Sequence, residues 1–246
     1  MPATRIDQQP GYVLHARAYR ETSLLLEILS RDHGRVGLVA RGVRRERTRL
    51  PRGLLQPLQP LLFGWIARGE LGTLTSVESV AAPFTLGGEA LFAGIYLNEL
   101  VLRLTVRNDA HAAAFGAYAD CLAALAAGAS VAWTLRRFER ELLADLGYAL
   151  ALTHAADTGV PVEADSHYAY DPEAGPLTWR DQPGAFRISG VALLALHNDR
   201  MPDPAGLAEL RRLMRIVIRH QLDGGRLNAW SFRLPSAGTA ADTGAN

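Results

Sequence analysis

The stretch that decides the fold is residues 11–41, GYVLHARAYRETSLLLEILSRDHGRVGLVAR. Apolar and polar side chains alternate in segments 11–19 and 35–41, and the apolar run 23–30 lies between them. Alternation with a period of two indicates a strand with one buried face, and Gly34 marks a turn before the third segment. The stretch therefore predicts three successive short strands.

Two further apolar segments, 59–67 and 71–80, follow this stretch and are separated by Arg68-Gly69-Glu70. Short strands joined by glycine-containing turns are typical of a small barrel or sandwich. Five strands in so short a region suit an OB-fold, although an SH3-like barrel fits the same pattern. We predict an α+β chain: an N-terminal five-stranded OB-fold barrel followed by an α-helical domain with a small irregular insert.

The hydrophobic period becomes helical after residue 84. Segments 89–106 and 111–127 predict two helices, and a third begins after Ser130, a good N-cap residue, and ends at Gly147. Its apolar side chains recur at helical spacing at Val131, Leu135, Phe138, Leu142 and Leu146. Three successive helices predict a bundle.

The remaining chain divides by composition. Residues 154–187 are broken by four prolines and carry six acids against two arginines, which predicts an acidic insert of turns and short strands. Asp203-Pro204 is a helix-start pair for a helix that runs to about residue 222. The predicted units are 1–80 (barrel), 81–153 (bundle), 154–187 (insert), 188–234 (helices completing the helical domain) and 235–246 (disordered tail).

Composition excludes several classes of chemistry. The chain has no lysine, so a Walker A loop and a lysine nucleophile are impossible, and its single cysteine, Cys121, allows no internal disulfide or cysteine zinc site. Four residues are of metal-ligand type: His154, Asp157, Asp165 and His167. Such residues are common in acidic loops, and we expect no metal or other cofactor.

The sequence lacks an apolar run long enough for a membrane span and lacks an N-terminal leader pattern. We expect a cytoplasmic protein that is not an enzyme.

Positive charge is concentrated in the first third of the chain. Residues 1–80 carry 12 arginines against 7 acids, whereas acids outnumber arginines in the rest. The densest segment holds Arg41, Arg44, Arg45, Arg47, Arg49 and Arg52, with Arg35 just upstream. Clustered cations neutralise backbone phosphates and release counterions, so this segment predicts binding of single- and double-stranded DNA. The alternative is a solvated charged loop.

Four aromatic residues fall on the predicted barrel strands: Tyr12, Tyr19, Phe63 and Trp65. Exposed rings beside a basic surface would stack on bases of any sequence. Core packing is the alternative, and for each ring it is the interpretation that the residues favour.

Two helices carry further arginines. On the third helix, Arg136 lies at the margin of the apolar stripe, with Arg137 and Arg140 further round the helix. An arginine there could hold the carboxylate of an acidic, hydrophobic peptide, but a pair with Glu139 or Glu141, or a surface arginine, explains the pattern more simply. The late helix has a basic face that is either solvated or an accessory contact for DNA or a partner: Arg211, Arg212, Arg215 and Arg219.

Several short segments occur in the same order as in a known family. In the N-terminal part they are Val13-Leu14, Glu21-Thr22-Ser23-Leu24, Gly34-Arg35-Val36, Leu38-Val39-Ala40-Arg41-Gly42 and Leu55-Gln56-Pro57-Leu58. In the middle part they are Tyr96-Leu97-Asn98-Glu99-Leu100, Leu135-Arg136-Arg137-Phe138-Glu139 and Leu146-Gly147-Tyr148. Together these segments, over about residues 11–225, resemble the RecO family.

This resemblance implies a DNA-repair and recombination mediator, located with the nucleoid, that binds and anneals DNA. It also implies contact with the acidic C-terminal tail of single-strand-binding protein, a partnership with RecR, and help in loading RecA onto coated strands. The tail-binding arginine of the family matches Arg136, which places the tail site at Arg136, Arg137 and Arg140.

The sequence departs from the family in two places. Thr153-His154-Ala155 lacks the cysteines of the zinc-binding members, and Ala229-Trp230 stands where the family has a Ser-Arg pair. Two functions of other classes also remain open: a protein-only adaptor whose barrel binds a peptide, and a metal-dependent nuclease.

Overall fold

The computed structural model describes residues 3–45, 50–181 and 186–231. Among these residues, five strands form a closed barrel in the order β1-β2-β3-β5-β4, with β3 and β5 parallel and the other pairs antiparallel. This confirms the predicted OB-fold barrel. The strands are β1 (Thr4–Tyr19), β2 (Ser23–Ser30), β3 (Gly34–Ala40), β4 (Leu61–Ala67) and β5 (Leu71–Ser79).

Strand β2 is buried on both faces, which explains its unbroken apolar sequence. Leu26 and Ile28 point into the barrel core, where Phe63 and Trp65 are also fully buried. Leu29 instead packs with the side chains of the helical domain. The barrel is therefore covered on one outer face by helices, and a strand in that position needs apolar residues on both sides.

Five α-helices lie in the described part of the chain: α1 (Gly88–Leu104), α2 (Ala112–Ala126), α3 (Val131–Asp145), α4 (Gly190–His197) and α5 (Pro204–Gln221). The backbone N–H of Trp133 donates to the Ser130 side chain at 3.5 Å, and that of Gly206 donates to Asp203 at 2.7 Å. Both predicted N-caps are thus confirmed. None of the described helices is both long and apolar enough to cross a membrane.

The segment between α3 and α4 forms a small sheet of order β7-β6-β8, built from β6 (His167–Asp171), β7 (Gly175–Thr178) and β8 (Ile188–Ser189). Tyr168 of β6 and Ile188 of β8 are buried in the same core as the helices. The predicted insert thus packs as part of the helical core. The predicted disordered tail, residues 235–246, lies outside the described residues.

An ion-pair cluster joins the barrel to the helical domain. The Arg35 guanidinium donates to Glu27 at 2.9 Å and to the backbone carbonyl of Thr105 at 2.8 Å, and Arg107 also pairs with Glu27. Gly34 beside this cluster has φ +63°, and a Cβ there would lie 1.7 Å from the Asp109 carbonyl oxygen. Only glycine allows the two backbones to approach so closely.

Candidate functional site

The basic loop after β3 is anchored by apolar side chains, and its described arginines are exposed. Val43 and Leu55 are buried in the barrel core, and the Arg44 backbone N–H donates to the Thr22 carbonyl of the β1–β2 turn at 2.9 Å. Four exposed arginines of the loop form no salt bridge with any described residue: Arg41, Arg44, Arg45 and Arg52. Arg47 and Arg49 lie outside the described residues. The described arginines of the loop therefore present positive charge that no described carboxylate neutralises.

Arg35, which the sequence grouped with the loop, is placed differently. Its side chain is 16% exposed and is occupied by Glu27 and the Thr105 carbonyl at the junction between barrel and helices. Because of these contacts, the Arg35 guanidinium is not available to bind a phosphate. We therefore assign Arg35 a structural role and leave it out of the proposed DNA surface, a revision of the expectation from sequence.

Most of the aromatic side chains on the barrel strands are buried in hydrophobic cores. Phe63 and Trp65 are buried inside the barrel, and Tyr12 is buried against Phe115 and Tyr118 of α2, which confirms core packing for these three. Tyr19 alone of the four is partly exposed, with the Arg20 guanidinium 5.3 Å from its ring centroid. Base stacking on the barrel by the other three rings would require them to leave their cores.

A cleft of about 450 Å³ opens between α1, α3, α5 and the turn that follows α5. Its walls are mostly apolar, and a few polar side chains converge on it, which is the usual character of a ligand pocket. The apolar lining consists of Phe92, Ala93, Val131, Ala132, Leu135, Met214, Ala229 and Trp230. The polar lining consists of Glu89, Tyr96, Arg136, Glu139, Arg211 and Arg215.

Arg136 and Glu139 form a buried ion pair at this cleft, with side chains 7% and 0% exposed. The Tyr96 hydroxyl donates to the same Glu139 oxygen at 2.6 Å. Burial and the Glu139 charge raise the pKa of Tyr96 well above its ordinary value, so it remains a protonated donor. Arg136 Nε and Glu139 Oε2 have no hydrogen-bond partner among the described residues, although both are buried. Arg136 thus places a buried cation, with one N–H that no described residue uses, at the wall of the cleft.

The other two arginines predicted for this site do not line the cleft. Arg137 donates to Asp199 at 2.7 Å, and Arg140 pairs with Glu141 and with the Leu196 carbonyl. They connect α3 to the end of α4 and to the segment after it. Of the three arginines predicted for the tail site, only Arg136 lines the cleft.

Two cations at the cleft were not assigned to it from sequence. Arg211 and Arg215 of α5 are exposed, line the cleft, and form no salt bridge with any described residue. Their spacing of one helical turn was visible, but nothing in the sequence indicated that α5 packs across from α3. Apolar walls with Arg136 and two exposed arginines among the lining residues suit a short peptide that is both acidic and hydrophobic.

The residues of metal-ligand type do not converge. Within residues 3–45, 50–181 and 186–231, no group of three or more His, Cys, Asp and Glu side chains could hold a metal ion. Asp157 instead accepts from the backbone N–H and hydroxyl of Thr178, which lowers its pKa. Cys121 is buried between helices, and this burial raises the pKa of its thiol to about 12, so the thiol is unreactive near neutral pH.

Comparison with known proteins covers almost the whole chain. Residues 5–83 match the family model of the recombination protein O N terminal, and residues 87–231 match that of the recombination protein O C terminal. The DNA repair protein RecO of Stenotrophomonas maltophilia strain R551-3 is 46% identical over 230 residues, which cover 92% of this chain and 96% of that protein. The DNA repair protein RecO of Xanthomonas campestris pv. campestris strain B100 is 45% identical over 231 residues, covering 92% and 95%.

Proposed function

Because the chain belongs to the RecO family of DNA repair proteins, we propose that it binds single- and double-stranded DNA and anneals complementary strands. On this proposal it acts in the cytoplasm at the nucleoid, as a mediator without catalytic residues. It cooperates with RecR and helps RecA to load onto strands coated by single-strand-binding protein. The observation that carries the proposal is the exposed group Arg41, Arg44, Arg45 and Arg52, which lacks carboxylate partners among the described residues.

The salt dependence of DNA binding tests the loop. Each phosphate contact contributes about −0.7 to the slope of log K against log salt for a single strand, so Arg44→Ala with Arg45→Ala should reduce the slope by about 1.4. Fluorescence anisotropy with a labelled oligothymidine measures this. Arg200→Ala removes an equally exposed arginine of the helical domain and should leave the slope unchanged.

If the slope of log K against log salt were unchanged in the Arg44→Ala, Arg45→Ala variant, the loop would not be part of the DNA-binding surface. Absence of oligonucleotide binding by the unmodified protein at low salt would instead favour the protein-only adaptor. Incubation of the DNA with the protein and Mg²⁺ or Mn²⁺ should give no cleavage, and cleavage products would favour the nuclease.

We also propose that the cleft holds the acidic C-terminal tail of single-strand-binding protein. The apolar walls would take the hydrophobic end of the tail, and Arg136, Arg211 and Arg215 would take its carboxylates. Arg136 thereby keeps the role expected from sequence, and Arg211 and Arg215 replace Arg137 and Arg140.

A peptide titration distinguishes the assignment of Arg211 and Arg215 to the tail site from that of Arg137 and Arg140. Arg211→Ala should weaken binding of an acidic peptide that ends in phenylalanine by about fivefold, since a partly exposed charge pair contributes about 1 kcal/mol. Arg137→Ala is the matched control, because Arg137 is an exposed arginine of α3 that pairs with Asp199 away from the cleft. Equal weakening by both variants would contradict the cleft assignment.

A further inference from the structure

The outer face of α5 carries more positive charge than the cleft uses. Arg211, Arg215 and Arg219 recur every four residues, which places them about 6 Å apart along one side of the helix, and Arg212 lies beside them. All four side chains are exposed, and none forms a salt bridge with a described residue. Arg212 and Arg219 do not line the cleft. Like the described arginines of the barrel loop, these four arginines have no carboxylate partner among the described residues.

Aromatic rings are paired with arginines on the same surface. The Arg212 guanidinium lies 5.1 Å from the Phe186 ring centroid, and the Arg215 guanidinium lies 5.2 Å from that of Trp230. The neighbour of Phe186, Arg187, lies 5.9 Å from the ring of Trp179. Three of the four arginine–ring pairs found among the described residues are thus on this surface.

These pairs form one group. Arg212 and Arg215 are three residues apart on α5, so their two ring pairs lie on one face of that helix. Arg187, which pairs with Trp179, follows Phe186 in the chain. All three rings are partly exposed. We call this group the arginine–aromatic row, and it consists of Trp179, Phe186, Arg187, Arg212, Arg215, Arg219 and Trp230.

A guanidinium held over a ring is suited to stack on a nucleic-acid base. The ring fixes the planar cation and leaves its opposite face open, and bases stack on both guanidinium planes and aromatic side chains. The charge of the same cation also attracts the phosphates. Alternating rings and cations along a surface are what sequence-tolerant binding of a single strand requires. A peptide in the cleft would use Arg215 and Trp230 but would leave the Phe186 and Trp179 rings without a role.

We propose that the arginine–aromatic row is a second binding surface for single-stranded DNA, on the helical domain and separate from the barrel loop. The proposal rests on the proposed function, since it adds a second strand-binding surface to a DNA-annealing protein. Two surfaces on one molecule allow each to hold one of two complementary strands. The row shares Arg215 and Trp230 with the peptide cleft, and it also includes Phe186 and Arg187, which do not line the cleft.

Charge reversal beyond the cleft tests the row. Arg212→Glu should lower the affinity of the full chain for labelled oligothymidine by about tenfold at low salt and reduce the salt slope. Arg200→Glu makes the same charge change at an exposed arginine outside the row and should alter neither. Phe186→Leu keeps an apolar side chain but removes the ring, and it should weaken binding without changing the salt slope, since stacking releases no counterions.

If the Arg212→Glu and Arg200→Glu variants bound oligothymidine with equal affinity, the proposal that the row binds DNA would be overturned. If oligothymidine binding still depended on Arg44 and Arg45, the proposed function would survive that result, whereas a protein that bound no oligonucleotide would lose both proposals. Loss of polyglutamate binding by Arg212→Glu with unchanged oligonucleotide binding would mark the row as a surface for acidic protein and would also overturn the proposal that it binds DNA.

Thermal melting of each variant, monitored by circular dichroism, should match that of the unmodified protein, because the altered side chains are exposed or half-buried.

Discussion

At the scale of single residues, Arg136 combines a structural role with the proposed binding role. Periodicity placed it at the margin of the α3 stripe, where a pair with Glu139 or Glu141, or a surface arginine, was the simpler interpretation. The structure contains the pair with Glu139 and places it in the wall of a cleft. The two interpretations were not exclusive, because one guanidinium has five N–H donors and Glu139 occupies only part of them. Sequence could not show this, since the opposite wall comes from α5.

A double-mutant cycle measures the structural part of this role. Arg136→Met should lower the free energy of unfolding by about 3 kcal/mol, because it leaves the buried Glu139 carboxylate without its counter-charge. Adding Glu139→Gln should restore most of that loss, since the remaining group is neutral and can still accept from Tyr96. Urea unfolding of the four proteins gives the coupling energy. Additive losses would contradict a buried pair.

At the scale of elements, the sequence predicted most boundaries because the end signals are local. The limits of β2 matched at both ends, and Asp203-Pro204 correctly began α5. The first part of β1 was missed. Its residues from Thr4 to Gln9 are mainly polar and exposed, so they lack the alternation that reveals a half-buried strand, yet they pair with β4.

The N-cap of α5 should have a measurable effect on stability. Asp203→Ala removes the acceptor for the Gly206 N–H, and we expect a loss of about 1 kcal/mol. Ser130→Ala in the cap of α3 is the control, because the Ser130 hydroxyl accepts at a longer distance of 3.5 Å and should contribute less. Denaturant midpoints at constant m-value report both. A larger loss at Ser130 would contradict the ranking by distance.

At the scale of the whole molecule, the sequence predicted the order of barrel and helices but not how they meet. The junction joins residues far apart in the chain, such as Glu27 with Arg107 and Asn98 with the Leu14 carbonyl. No local pattern specifies such partners. For this reason Arg35 was taken as part of the basic segment, although its neighbours in space are Glu27 and Thr105.

The junction cluster should stabilise the protein more than a surface pair does. Glu27→Ala leaves Arg35 and Arg107 without their shared counter-charge, and we expect a loss of about 2 kcal/mol in the free energy of unfolding. Asp32→Ala breaks an exposed pair with Arg31 and should have no measurable effect. Thermal and urea unfolding compare the two variants. Equal effects would show that the junction contributes no more than a surface contact.

The apolar cover over β2 has a consequence for how the chain is divided. Tyr12, Leu14 and Leu29 belong to the barrel by sequence but are buried among the side chains of α1 and α2. Cutting the chain between the two segments matched by the family models would expose these side chains as a hydrophobic patch that promotes association. We therefore expect each segment, expressed alone, to be less stable and more prone to aggregation than it is within the whole chain.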